Sequence, residues 1–130
     1  MAATITLDLA GLTAEISKLI TDKVDVGTTN LAGKLRIRSG AATLLVEVDL
    51  VDPAFVVGAG SIRTLDSTPL QGTAVANGTG ATAQVLDRDE NIVFSGPVTV
   101  VGGNGFIQLD KVDIEIGDVV TVLSGSIQYP

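Results

Sequence analysis

The side chains of this chain that could do chemistry are mostly carboxylates, and they fall into two groups. Asp87-Arg88-Asp89-Glu90-Asn91 places alternate oxygen ligands at one turn, which is how a calcium loop begins. Asp87, Asp89 and Asn91 are the candidate ligands. Such a loop also needs glycine at its sixth position and glutamate at its twelfth, where this chain has Ile92 and Val98. Asp and Asn also populate turns because their side chains bond the local backbone, so the run reads first as a turn without a resident metal. The second group is Asp110, Asp113, Glu115 and Asp118, with Asp113 and Glu115 expected on one strand face. Paired carboxylates carry out glycoside hydrolysis. The only aromatic side chains are Phe55, Phe94, Phe106 and Tyr129, expected in the core or at the terminus rather than as sugar platforms. Charge on strand edges, which blocks edge-to-edge association, accounts better for this second group.

The rest of the inventory removes other reaction classes. The chain has no His and no Cys, which excludes a Ser-His-Asp triad, a Cys-His pair, a thiolate zinc site and a histidine base. Gly58-Ala59-Gly60 does not extend to a dinucleotide fingerprint, because Arg63 stands at the third glycine position. Asn77-Gly78-Thr79 matches a glycosylation acceptor, a match that is idle without a secretory signal. Nowhere do a nucleophile, a base and an orienting group come together in the pattern, so the chain reads as a non-enzyme without a cofactor. Lys and Arg number 8 against 15 Asp and Glu, a net charge of −7. The densest basic cluster, Lys34, Arg36 and Arg38, occupies one side of a single strand. That pattern fits a solvated strand face, and no nucleic acid partner is expected.

These residues must be positioned by a mostly β fold. The 130 residues fit one domain, and the 45% apolar content is supplied almost entirely by Val, Ile, Leu and Ala, which predicts an aliphatic, β-branched core. Leu12, Ile16, Leu19, Ile20 and Val24 recur with helical period and predict one short helix over residues 13–23, with Thr13 as its N-cap. From Lys34 the period becomes two. Lys34–Arg38 and Leu44–Leu50 read as strands, and others are expected near 61–65, 81–87, 91–95, 97–101, 105–110, 119–124 and 126–129. Asp87–Asn91 and Gly102-Gly103-Asn104-Gly105 read as hairpin loops, and Asp52-Pro53 as a break. Residues 66–80 have the weakest pattern and read as a long loop. The expected fold is all-β, an antiparallel β-sandwich or jelly roll with one short N-terminal helix. Residues 1–33 form an arm and helix, and 34–130 a β-sandwich body, within a single domain. No apolar run is long enough for a membrane helix, and no membrane partner is expected.

The order of the pieces carries a resemblance. A short helix is followed by Lys34-Leu35-Arg36-Ile37-Arg38-Ser39-Gly40 and by a Leu44–Leu50 strand leading into Asp52-Pro53-Ala54-Phe55. Then come Ser61-Ile62-Arg63, the Gly80–Asp87 strand, an Asp-rich hairpin and the closing Val119–Pro130. This layout resembles small virion proteins encoded among the structural genes of tailed bacteriophages, some of which are capsid decoration (cement) proteins with a β-sandwich or jelly-roll fold. The resemblance implies a structural protein, made in the host cytoplasm, that binds the major capsid protein on the capsid exterior as a homo-oligomer. A tail or head–tail connector component, and a small carbohydrate-binding β-sandwich, are the alternatives. The partner-binding candidates are Ile5, Leu7 and Leu9, which alternate with polar residues and could add as a strand, and the helix stripe Leu12, Ile16, Leu19 and Ile20. The 66–80 loop is expected to share in that surface.

Overall fold

A computed structural model describes Ala3, residues 9–57 and residues 62–127, the side chains of 9–14 excepted. One helix, α1 (Leu9–Asp22), runs into a 3₁₀ turn at Lys23–Asp25. It begins four residues before the expected start, so Thr13 lies inside it rather than capping it. Leu9 continues the helical register of Leu12 and Ile16, and it belongs to the helix, not to an extended arm. Ile5 and Leu7 lie outside the described residues.

Ten strands follow: β1 (Lys34–Ser39), β2 (Leu44–Asp49), β3 (Phe55–Val57), β4 (Arg63–Leu65), β5 (Leu70–Thr73), β6 (Gly78–Leu86), β7 (Ile92–Val100), β8 (Ile107–Leu109), β9 (Asp113–Ile114) and β10 (Val119–Ile127). They bond in the order β2-β1-β6-β7-β8-β10-β4-β3, with β5 also on β10 and β9 on β6. The sheet curls until its β2 end meets β5, where Val46 bridges Ala74 and the Val75 N–H donates to the Leu45 carbonyl at 2.8 Å. The fold is therefore all-β with one short helix, built on one curled sheet.

It is not strictly antiparallel. Strand β7 pairs antiparallel with β6 as far as Thr82↔Pro97, then parallel with β8 from Val98↔Ile107. Pro97 sits at the changeover, where a missing N–H costs least, and β7 runs unbroken through Gly96, where the sequence predicts a gap between strands 91–95 and 97–101. The Gly102–Gly105 segment consequently makes no hairpin: it doubles back to start a parallel strand. Such connections normally need a dozen or more residues. Here the return folds flush onto β7, with a Cβ on Gly105 falling 2.7 Å from the Thr99 nitrogen, while the Gly105 N–H donates to Thr99 Oγ1 at 3.1 Å. Strand β10 also runs unbroken past Gly125, pairing in turn with β5, β8 and β4. The stretch expected as a 66–80 loop contains β5, the strand that closes the sheet.

The core is aliphatic, as the composition predicts. Leu35, Ile37, Val46, Val85, Ile107 and Leu109 are fully buried, and Phe55 is the one aromatic side chain among the described residues buried with them. Strand period explains the selection: on β1, Leu35 and Ile37 face in while Lys34, Arg36 and Arg38 face out.

Candidate docking surface

The polar groups singled out in the sequence are committed to holding the fold. In the Asp87–Asn91 turn, Asp87 Oδ1 accepts the backbone N–H groups of Asp89 and Asn91, both at 2.9 Å. Asp89 Oδ1 accepts those of Thr28 and Thr29 across the surface, also at 2.9 Å each. These backbone donors hold the Asp89 carboxyl below the usual aspartate range, Thr28 first. Arg88 completes the latch, its Nε donating to the Asn30 carbonyl at 2.7 Å. Asp89 and Arg88 thus tie residues 26–30 to the β6–β7 hairpin, while Asp87 and Asn91 close the turn itself. Among the described residues no group of three or more acidic side chains is placed to hold a metal ion.

The second acidic group is dispersed rather than paired. Asp110 accepts the Thr121 N–H, and Asp113 the Thr79 hydroxyl. Asp118 accepts the Glu115 N–H and pairs with Lys111 at 3.0 Å. Asp113 and Glu115 do not share a strand face, because β9 ends at Ile114 and Glu115 enters the following turn. The basic stripe is likewise engaged: Lys34 and Arg36 both reach Glu47, at 2.9 and 2.7 Å, Arg36 also meets Glu90, and Arg38 donates to Gln84. None of these arrangements assembles a proton donor and acceptor around a vacant reacting position. Asn77 is exposed, with its side-chain oxygen accepting the Ile116 N–H.

What remains is apolar surface, and α1 organises it. Period predicts that the stripe of Leu12, Ile16, Leu19 and Ile20 packs inward or between chains. Among the described residues the side facing the body is Ser17, Thr21 and, at the end of the periodic set, Val24, all buried. The Thr21 hydroxyl donates to the Ser17 carbonyl at 2.9 Å and accepts from Arg63 Nε at 3.2 Å. Arg63 in turn reaches the Phe55 carbonyl. The guanidinium of β4 requires acceptors, and the hydroxyl face of the helix supplies one where a leucine could not. At about 100° per residue, this seat rotates the centre of the apolar stripe by roughly 110° away from the body.

Ile16 and Ile20 are accordingly half-buried, and Leu19 is 67% exposed. Leu9 and Leu12 lie on the same helix, with side chains outside the described set. Beside the stripe runs a groove whose opposite wall is the start of β7, Ile92 and Val93, with Lys23 on the helix rim and Asp87 and Asn91 on the hairpin rim. Sequence reading missed this second wall. Ile92 stands directly after the Asp-rich turn, but only the tertiary fold sets it against the helix. A second cleft opens where β7 and β8 diverge, lined by Phe94, Gly96, Pro97, Phe106 and Ile127; Phe94 and Phe106 stack edge-on at 5.4 Å. That cleft has no titratable side chain on its walls and so offers shape and apolar contact without proton transfer. No family model, no curated protein and no solved structure matches the chain.

Proposed function

We propose that this chain is a structural virion protein that binds the outer surface of a tailed-phage capsid and stabilises the shell. The observation that supports this reading is the spread of exposed large aliphatic side chains over separate parts of the body: Leu19 on α1, Leu31 before β1, Val57 on β3, Ile92 opening β7, Val101 after it and Ile116 before β10. One exposed aliphatic residue is ordinary. Several, at separate places on the helix, the strands and the connecting loops, suit a protein that touches several neighbours at once. Multivalent contact converts weak pairwise binding into lasting attachment. The net charge of −7 favours the capsid exterior, away from packaged DNA. The partner in this reading is the major capsid protein, with further copies of the chain beside it on the lattice.

Electron microscopy of particles assembled with a tagged chain is the direct test. Label at regular positions on the outer head surface is expected, together with a higher temperature of DNA release than in heads lacking the chain. Label on the tail or at the head–tail junction would make it a tail or connector component instead. Absence from the particle overturns the virion reading.

A further inference from the structure

We propose that the groove between α1 and the β6–β7 hairpin is a contact between two copies of this chain related by a twofold axis. Its walls are apolar, Leu19 and Ile20 on the helix and Ile92 and Val93 on the strand, with Leu19 67% and Ile92 59% exposed. Its rims carry opposite charge. Lys23 stands on the helix side without an ion pair among the described residues. Asp87 stands on the hairpin side, its carboxylate bonded only to backbone N–H groups and, at 3.4 Å, to the Asn91 amide.

A twofold operation brings each rim of one copy against the other rim of its mate. Lys23 then faces Asp87 of the second copy, and the reverse pair forms by symmetry, while Leu19 enters the groove opposite Ile92. The patch is complementary to itself, and it is locally near neutral on a chain whose net charge of −7 would otherwise keep copies apart. A helix of 14 residues is about 21 Å long, which gives the contact a second dimension along the stripe. The seat of Thr21 on Arg63 matters here: it turns Leu19 outward, and Leu19 gains from a mate the burial it does not get from its own body.

Sedimentation velocity of the full chain over a wide concentration range tests this. The expected result is a reversible monomer–dimer equilibrium. Leu19→Glu and Ile92→Glu should each weaken it at least tenfold, Lys23→Glu several-fold, and Leu123→Glu, an exposed aliphatic position elsewhere, not at all. All four positions are exposed, and unchanged circular dichroism verifies the fold of each variant. The chain has no cysteine, so mixing Leu19→Cys with Ile92→Cys under mild oxidation should give a covalent heterodimer. A chain that stays monomeric up to millimolar concentration overturns the proposal. So does a dimer that survives both Leu19→Glu and Ile92→Glu, because the contact would then lie elsewhere.

Discussion

Glu47 is the acceptor on which the outer face of β1 and β2 converges, taking hydrogen bonds from Lys34 and Arg36. The Lys34 bond, then that of Arg36, holds its carboxyl below the ordinary value of 4.5. A lowered folded-state value means stability that is present above that ordinary value and lost as pH falls through the folded one. Glu47→Gln should therefore destabilise at neutral pH by about 1–2 kcal/mol, the size of charge-assisted bonds on a partly exposed face. In thermal melts the difference from wild type should shrink as the pH falls through the lowered folded-state value and both chains become neutral at this position. Asp25 has the opposite sign. Burial raises its carboxyl above 3.8, outweighing the Ala54 N–H that it accepts at 2.9 Å. A raised value means stability present at low pH and lost as pH rises through it. Asp25→Asn, which keeps an acceptor for Ala54, should melt higher than wild type at pH 7 and with it in strong acid. Chelator should leave the melting temperature unchanged, because Asp87 and Asp89 each already spend one oxygen on two backbone donors; a ligand bound only to the folded state would have raised it.

Among the elements, β5 decides whether the sheet closes, and Gly72 decides whether β5 reaches its place. A Cβ at Gly72 would lie 2.5 Å from the Glu47 carbonyl oxygen and 2.8 Å from Val46 Cγ1. Backbone cannot retreat as a flexible side chain does, so Gly72→Ala should cost about 1–3 kcal/mol or more in chemical denaturation. Gly40, in the β1–β2 turn, has nothing within 4 Å of its would-be Cβ and no positive φ. Gly40→Ala should be neutral or stabilise by up to about 1 kcal/mol, through the unfolded chain. The same contrast separates elements legible in the sequence from those that were not. β1 and most of β6 alternate because one face is buried and the other wet, and their own residues announce it, whereas β2 buries both Leu45 and Val46. Leu70-Gln71-Gly72-Thr73 has no such period; it is a strand because β10 lies beside it, Val119↔Thr73 through Val122↔Leu70. β3 and β9 are shorter still and depend on β4 and β6 for partners.

At the scale of the whole molecule, one apolar cluster runs from Val24, beneath the helix, through every long strand. The chain should therefore unfold in a single calorimetric transition whose van't Hoff and calorimetric enthalpies agree. Removing residues 1–33 would strip Val24 from that core and leave Arg88 and Asp89 without their partners in residues 26–30, so residues 34–130 alone should melt well below the full chain. The sequence by itself determined the class: mostly β, one helix, an aliphatic core, and turns at Ser39-Gly40 and Asp87–Asn91. It could do so because hydrophobic period and turn chemistry are local, set by whether neighbouring side chains face water. Tertiary structure alone decided that β7 takes an antiparallel neighbour and then a parallel one, that β5 closes the sheet, and that α1 seats Ser17 and Thr21 inward and Leu19 outward. Each of these depends on a partner distant in the chain: Ile107 for Val98, Ala74 for Val46, Arg63 for Thr21. Period records how apolar a helix face is. Which face is buried was settled by a guanidinium on β4 that needed a hydroxyl, 42 residues away from it in the chain.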